Sequence, residues 1–379
     1  MTTASGGPRL SDRQRIAWLR LIRTENVGPA SFRALINRFG SADAAIDMLP
    51  ELAARGGATK PSRIPSANEA ERELELTAKV GARIVAMGES DYPPVLRRME
   101  NCPPMLTMAG DANVFALPAV AIVGARNASL AGVKMARMLA AELGREGHAI
   151  VSGLARGIDT AAHEGGLSTG TVAVLAGGID QPYPPQNKDL MAAIAARGGA
   201  VVTDMPFGWE PRARDFPRRN RIIAGLALGL VVVEAAERSG SLISARMAGE
   251  MGRLVFAVPG SPLDPRAGGS NRLLKEGAIL VTEAADVAGA LRPLGGGAPR
   301  PGPVEAEEPA DFDALTPVGE QARDRILEAL GPTPVGIDEI IRHTGQPAAA
   351  VHLVLLELDL AGRLERHSGG AVSLVFADD

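Results

Sequence analysis

The sequence predicts a doubly wound α/β domain with a Rossmann-like, mainly parallel sheet, a small N-terminal helical domain and a C-terminal winged-helix-like domain. Two observations predict the sheet. Seven apolar runs follow one another from residue 119, and they are continuous rather than alternating: AVAIVG, AIVSG, TVAVLAGG, AVVTDM, LVVVEA, LVFAVPG and AILV. Strands buried on both faces have this pattern. Helical stretches such as GVKMARMLAAELGREG separate the runs by short connections, which is the order of an α/β fold.

The N-terminal domain is predicted over residues 1–75. Apolar residues recur at helical spacing between residues 10 and 55, and Gly28-Pro29 interrupts them. The piece ENVGPASFRALINRFGS resembles a helix-hairpin-helix element, whose glycine turn can donate backbone N–H groups to a nucleic-acid phosphate. A packed helical domain with no DNA contact accounts for the same pattern.

The sheet domain is predicted over residues 76–291. A connector at 58–68 and an acidic helix around EAERELELTAKV precede it. Two short strands, Arg83–Met87 and Met105–Ala109, are expected before the parallel run begins.

The C-terminal third divides into a linker and a winged-helix-like domain. Residues 292–315 are rich in glycine, proline and acid, which predicts a flexible linker. Residues 316–379 give three helices and a short hairpin, with PAAAVHLVLLELDL in the place of a recognition helix. That helix contains Glu357 and Asp359 and no lysine or arginine before Arg363. A helix that reads DNA needs cations toward the phosphates, so a protein contact is predicted instead.

Composition limits the class of protein. The chain has 379 residues, 46% hydrophobic residues and a net charge of −4. No apolar run has membrane-spanning length, and the N-terminus lacks the apolar core of a signal peptide. A single cysteine, Cys102, excludes an internal disulfide framework and a cysteine-rich zinc site. We therefore predict a cytoplasmic protein that does not enter a membrane.

Small residues follow the predicted strands at the edge where ligands of such sheets bind. They occupy 124–129, 152–157, 177–178, 239–241 and 259–261. Small side chains let a ligand approach the backbone, and each turn that opens a helix directs N–H groups outward. Several such turns at one edge, with two arginines among them, favour a polyanion.

A cluster of arginines favours nucleic acid at the same edge. The run Phe216–Arg221 reads FPRRNR, and Arg212 and Arg214 lie just upstream. Guanidinium groups suit phosphate, and an aromatic face can stack on a base. Phe216 either stacks on a base or packs beneath the loop. Arg219 or Arg221 could instead bind Asp204, Asp215 or Glu234.

Other site classes fit less well. The turn at Gly124 lacks the G-x-G-x-x-G pattern of dinucleotide sites, and no Walker-A lysine pattern is present. Asp159 and His163 share a helix face and could form an acid/base pair, or Asp159 caps the helix and His163 packs nearby. Glu234 is either a further acid or a support for its turn. No metal-ligand cluster is evident, so the edge is predicted to hold its ligand rather than cut it.

These motifs resemble the DNA-processing protein A family (DprA, also called Smf). They are Gly124-Ala125-Arg126, SGLARGIDTAAHEG from Ser152, FPRRNRIIAGL from Phe216, SGSLI from Ser239, PGS at 259–261 with GSN at 269–271, and upstream DYPPVL and PPMLTMAG. The resemblance implies a non-enzymatic protein that binds and protects single-stranded DNA and loads the recombinase RecA during natural transformation. It also implies a homodimer formed through the Rossmann-like domain.

The predicted DNA-binding residues combine the resemblance with the strand-end turns. They are Gly124, Arg126, Ser152, Gly153, Arg156, Phe216, Arg218, Arg219, Asn220, Arg221, Ser239, Gly240 and Ser241. No catalytic residue, cofactor or metal is predicted. The alternative is a nucleotide-processing enzyme of the Rossmann-like phosphoribohydrolase type, with Glu234 and Arg126 catalytic. A pure interaction scaffold, in which the arginines only solvate a loop, is a third possibility.

Overall fold

The computed structural model describes residues 9–99, 101–292 and 318–375. Helices fill the predicted N-terminal helical stretch and the acidic segment after it: α1 (Asp12–Ile22), α2 (Pro29–Phe39), α3 (Ala42–Arg55) and α4 (Ala67–Lys79). Ser11 and Gln14 form a capping box at the start of α1, which satisfies N–H groups that lack helical partners. Pro29 opens α2, where its missing N–H costs nothing.

The central sheet has nine strands. They are β1 (Ala82–Ala86), β2 (Met105–Gly110), β3 (Ala119–Val123), β4 (Ala149–Ser152), β5 (Thr171–Val174), β6 (Ala200–Thr203), β7 (Gly229–Val232), β8 (Leu254–Ala257) and β9 (Ile279–Leu280). Their order is β1-β2-β6-β5-β4-β3-β7-β8-β9. The seven strands from β6 to β9 in this order are parallel to one another, and β2 pairs antiparallel with both β6 and the edge strand β1. The predicted doubly wound, mainly parallel sheet is confirmed.

Helices cover both faces of the sheet. They are α5 (Leu130–Arg145), α6 (Ile158–Gly166), α7 (Lys188–Ala196), α8 (Asp215–Leu226), α9 (Gly240–Glu250), α10 (Gly268–Lys275) and α11 (Ala284–Leu291). Val120 and Ile122 of β3 pack with the buried residues of α5, α6 and α11. Ala121 and Val123 belong to the core that contains α8 and α9. Burial on both faces explains why the strand sequences are continuously apolar.

The chain reverses direction across the sheet between β3 and β7. From β3 the strands β4, β5 and β6 are added on one side, and the chain then returns to place β7 on the other side of β3. Crossover loops therefore diverge at the carboxyl ends of β3 and β7 and leave a crevice between them, which is where ligands bind in doubly wound sheets.

The predicted winged-helix order is present near the C-terminus. Its elements are α12 (Glu320–Glu328), β10 (Val335–Gly336), α13 (Ile337–Thr344), α14 (Ala348–Leu360), β11 (Leu364–Arg366) and β12 (Ala371–Leu374). The three strands form one antiparallel sheet in the order β10-β12-β11. Apart from residue 292, the predicted linker 292–315 lies outside the described residues.

The described residues group into two compact units. Residues 72–292 form the sheet unit, and residues 10–71 form the second unit together with 318–375. No helix in the described ranges is long and apolar enough to cross a membrane. The boundaries of the four predicted segments stay predictions.

Candidate nucleic-acid interface

A cavity of about 720 Å³ opens at the crevice between β3 and β7. Three strand-end turns and the start of α8 contribute its walls. Its lining includes Gly124, Arg126, Asn127, Asp159, Phe216, Arg219, Asn220, Arg238, Ser239, Gly240, Ser241 and Arg266. Four of these are arginines and one is a carboxylic acid, so the walls carry an excess of positive charge.

The turn after β3 is shaped by Gly124 and fixed by Glu234. A Cβ at Gly124 would come within 2.7 Å of the Ile158 side chain and 2.9 Å of the Glu234 carbonyl oxygen, so only glycine fits without displacement. The Glu234 carboxylate accepts hydrogen bonds from the Ser129 backbone N–H, at 2.9 Å, and from the Ser129 hydroxyl. Glu234 therefore supports the start of α5, and not the turn after its own strand, as the sequence had suggested.

The turn after β7 presents the start of α9 to the cavity. Ser239 caps this helix and accepts a hydrogen bond from the Ser241 backbone N–H at 3.3 Å. A Cβ at Gly240 would meet no atom within 4 Å, so the space above the first turn is open. The first N–H groups and the helix dipole make this position favourable for an anion.

The run Phe216–Arg221 lies inside α8, and its arginines, predicted together as DNA-binding residues, do not face the same way. Helical periodicity puts Arg218 and Arg221 on one side, where both bind the buried carboxylate of Asp204 at 3.0 and 3.1 Å. Arg221 also donates to the Asn101 carbonyl oxygen at 2.7 Å. Neither arginine lines the cavity. Of the run's arginines, only Arg219 lies in the cavity wall.

Arg219 is a buried cation in the cavity wall, only 5% exposed. Its Nη1 donates to the Val174 carbonyl oxygen at 3.2 Å, and its Nε has no hydrogen-bond partner among the described residues. Burial lowers the pKa of the Arg219 guanidinium to about 10, while Asp159 acts in the opposite direction. The group is therefore charged at neutral pH.

Asp159 holds the turn after β4. Its carboxylate accepts hydrogen bonds from the backbone N–H groups of Gly153, at 3.1 Å, and Ala155, at 3.4 Å. Burial raises the pKa of this carboxyl, and the charge on Arg219 partly opposes that rise. Asp159 therefore fixes the loop on which Arg219 rests.

His163 is fully buried and neutral. Burial lowers the pKa of its imidazole to about 3, and the neighbouring Arg219 charge acts in the same direction. Its Nε2 accepts from the Leu154 N–H at 3.3 Å, and its Nδ1 lies 2.8 Å from the Thr171 hydroxyl. That hydroxyl donates to the Ile150 carbonyl oxygen, so Nδ1 carries the ring proton. These bonds hold the ring within the fold. Asp159, however, does not cap α6, whose start has no side-chain cap; it bonds to the turn after β4.

Phe216 is part of an aromatic and cationic group at the cavity. The Arg126 guanidinium lies 4.8 Å from the centre of the Phe216 ring, and the Arg219 guanidinium lies 5.9 Å from it. Tyr183 packs edge-on against Phe216, with ring centres 5.7 Å apart and planes at 69°. Tyr183 is 47% exposed and was not among the predicted site residues. Its signal was an aromatic residue in a loop of a chain with only two tyrosines.

The predicted site residues thus divide into two groups. Those that line the cavity are Gly124, Arg126, Phe216, Arg219, Asn220, Ser239, Gly240 and Ser241. Ser152 lies beneath it, fully buried, and donates to the Ile122 carbonyl oxygen at 2.6 Å. Gly153 lies under Arg219, and Arg156 is exposed outside the cavity wall.

Sequence reasoning missed four residues of this region. Besides Tyr183, they are the wall residues Asn127, Arg238 and Arg266. Arg266 also pairs with Asp264 at 2.9 Å. Within the described ranges no three histidine, cysteine or acidic side chains group as metal ligands would. The arrangement offers cations, helix-start N–H groups and aromatic rings, which are the groups that proteins use to bind phosphates and bases.

Family comparisons match most of the chain. The model described as DNA recombination-mediator protein A matches residues 83–292. The DprA-like N-terminal HHH domain matches residues 12–75, and the DprA winged helix domain matches residues 306–370.

Individual relatives agree with these matches. Protein Smf of Escherichia coli is 38% identical over 285 residues, which are 75% of each chain. The X-ray structure of DNA processing protein A from Streptococcus pneumoniae has a TM-score of 0.62 and 33% identity, and the match covers 74% of this chain and 98% of that one. The structure of DNA processing protein A from Helicobacter pylori, which concerns its single-stranded DNA binding mode, has a TM-score of 0.51 and 26% identity over 56% of this chain and 96% of that one.

Proposed function

Because the chain belongs to the DNA recombination-mediator protein A family, we propose that it binds single-stranded DNA in the cavity between β3 and β7. In this proposal the protein holds the strand and does not cut it. Phosphates lie against the turns at Gly124 and Ser239, and bases lie toward Phe216 and Tyr183.

The observation that carries the proposal is the buried Arg219 guanidinium in the cavity wall. The guanidinium is charged and belongs to the cavity wall, so it attracts an anion placed there. A phosphate at the cavity supplies that negative charge. Arg126 and the start of α9 add positive potential at the same wall.

Base stacking supplies the second part of the interaction. Tyr183 offers exposed ring surface, while Arg126 and Tyr183 already contact the Phe216 ring. We propose that Phe216 orients Arg126 and Tyr183, and that Tyr183 meets a base. A stacked base contributes about 1–3 kcal/mol without sequence preference, since every base has a π-face.

The site is proposed to be non-catalytic. Glu234, which a phosphoribohydrolase would use, holds the Ser129 turn, and the His163 ring is held by Leu154 and Thr171. Among the described residues, both groups are thus engaged in hydrogen bonds of the fold.

Further parts of the proposal rest on family membership. We propose that the protein acts in the cytoplasm, protects incoming single strands during natural transformation and loads RecA onto them. A homodimer formed through the sheet unit would provide two cavities, and two linked sites bind a long strand more tightly than one.

The proposal is tested by two assays on the same preparation. Fluorescence anisotropy with a labelled oligothymidylate measures binding, and release of base from nucleoside monophosphates measures hydrolysis. We expect binding that weakens with salt and no hydrolysis by the wild type or by Glu234→Gln. Hydrolysis that is lost in Glu234→Gln, without binding of the oligonucleotide, would establish the enzymatic alternative.

A further inference from the structure

The helix in the recognition position of the winged helix, α14, packs buried apolar residues into two different cores. Its residues Val351, Val354, Leu355 and Leu358 pack into the core of the winged helix itself. The other buried leucines of α14 pack into the core of α1–α3; these are Leu353, Leu356 and Leu360. The helix that would enter a DNA groove is thus a core element shared by two modules of one compact unit.

Polar contacts fix the register of this packing. Glu357 of α14 is 2% exposed and accepts hydrogen bonds from Arg323 of α12. Arg55 of α3 lies 4.0 Å away and adds a second cation. Burial raises the pKa of the Glu357 carboxyl, and the charges of Arg323 and Arg55 act against that rise. The one deeply buried acid of α14 therefore faces arginines of the chain itself.

The backbones of α14 and the end of α3 are in close contact. A Cβ at Gly56 would come 1.9 Å from the Glu357 carbonyl oxygen. Arg363 donates to the Gly56 carbonyl oxygen at 3.1 Å, and Asn26 donates through its side chain to the Leu360 carbonyl oxygen at 3.2 Å. The α1–α2 hairpin is therefore covered by the end of α14.

An acid of α14 lies at the start of α2. The Ser31 hydroxyl, on a residue only 1% exposed, donates to Asp359 at 2.6 Å. Arg366 donates to the same carboxylate oxygen at 2.9 Å. The start of a helix attracts anions through its free N–H groups and its dipole, and no side chain caps α2. In a helix-hairpin-helix this is the position where a nucleic-acid phosphate would be held.

We propose that the α1–α2 hairpin is an anion site for a phosphodiester that the chain's own winged helix fills with the Asp359 carboxylate. The winged helix and the N-terminal helices then form a closed pair, and neither contributes DNA contacts while the pair is closed. In this role Asp359 takes the place of a phosphate, whereas Glu357 pairs with Arg323 and Arg55.

The test separates the two modules in the full-length chain. Gly56→Ala places a methyl group where α14 lies, and its helical φ of −70° suits alanine. Asp359→Asn removes the charge while it keeps the volume of the side chain. The matched controls are Gly319→Ala, where a Cβ would meet nothing within 4 Å, and Asp338→Asn, an exposed acid of the same winged helix.

Two measurements are made on each variant. Hydrogen exchange of peptides spanning residues 24–31 reports whether the hairpin is covered. Anisotropy with a labelled duplex, at several salt concentrations, reports whether the hairpin binds a phosphate. For Gly56→Ala we expect faster exchange, a several-fold gain in duplex affinity and a salt slope steeper by about 0.9, which corresponds to one phosphate. Asp359→Asn should show the same gain, and both controls should behave as the wild type.

Two results would overturn the proposal. One is a Gly56→Ala protein whose hairpin exchanges as slowly as in the wild type, and the other is an exposed hairpin without a gain in duplex affinity. If Gly56→Ala fails to fold, Asp359→Asn decides alone, and unchanged duplex affinity in that variant contradicts the proposal. Single-stranded binding is measured in parallel. An exposed hairpin should add at most one phosphate contact to it, about 0.7 in the salt slope, whereas failure of the cavity between β3 and β7 would weaken it.

Discussion

Arg219 lies directly over Gly153. A Cβ at residue 153 would come 1.3 Å from the Arg219 Nη1 and 2.3 Å from its Cζ. The buried guanidinium therefore packs directly on the turn after β4. It can take this position in the cavity wall only because residue 153 has no side chain.

Gly153→Ala should therefore displace Arg219 and weaken binding of single-stranded DNA about tenfold or more, because one charge-assisted hydrogen bond to phosphate contributes about 1.5–3 kcal/mol. Oligonucleotide anisotropy measures the loss. The control is Gly289→Ala in α11, where a Cβ would meet nothing within 4 Å. Equal affinity in the two variants would show that Arg219 does not contact the strand.

Asp204→Asn should lower the stability of the sheet unit by about 1–3 kcal/mol. Asp204 is 4% exposed and receives hydrogen bonds from both Arg218 and Arg221, so its neutral replacement leaves two arginines without their anion. Urea unfolding monitored by circular dichroism measures the change. The exposed Asp111→Asn provides the comparison for loss of a carboxylate, and a shift no larger than in that control would contradict a structural role for Asp204.

His163 should make the free energy of unfolding fall as the pH is lowered. Its pKa is about 3 in the fold against an ordinary 6.5, so between these values the unfolded chain binds a proton that the native protein excludes. This contribution is present above pH 6.5 and decreases as the pH falls toward 3, by up to about 1.4 kcal/mol per pH unit.

Unfolding midpoints from pH 7 to pH 4.5 test this for His163→Asn, which should show a shallower decline than the wild type. The exposed His343→Asn is the control and should retain the wild-type slope. Parallel curves for wild type and His163→Asn would mean that the buried ring does not resist protonation.

Tyr183→Leu should weaken single-strand binding by about 1–3 kcal/mol, the contribution of one stacked base. Tyr183→Phe retains the ring and should bind as the wild type does. Quenching of an oligonucleotide that contains 2-aminopurine reports stacking directly. If the leucine variant binds and quenches like the phenylalanine variant, Tyr183 supports Phe216 without meeting a base.

The fold was predictable because its signals are local. Continuous apolar runs identified the buried strands, and the Gly28-Pro29 break marked the start of α2. The order of the strands was not predictable from the same signals, since pairing β3 with β7 depends on contacts between distant residues. The position of the crevice follows from that pairing.

The types of residue in the site could be predicted from the sequence, but their positions in space could be predicted only in part. The run FPRRNR indicated positive charge. Because the run is part of α8, Arg219 faces the cavity, whereas Arg218 and Arg221 bind Asp204. The position of each arginine around the helix decides which neighbour it faces. That position could not be predicted, because the run was not expected to be helical. Tyr183 was missed because its relevance depends on contact with Phe216, 33 positions along the chain. The acids of α14 predicted a protein contact, but they did not identify α1–α3 as the partner.

The most direct test compares Arg126→Ala with Arg218→Ala in the salt dependence of single-strand binding. Both arginines are exposed, but only Arg126 lines the cavity, whereas Arg218 binds Asp204. With about four phosphates held, log K should fall with log salt at a slope near −3 in the wild type. Arg126→Ala should weaken binding and reduce this slope by about 0.7, while Arg218→Ala leaves it unchanged. A slope reduced by Arg218→Ala and unaffected by Arg126→Ala would contradict the assignment of the strand to the cavity between β3 and β7.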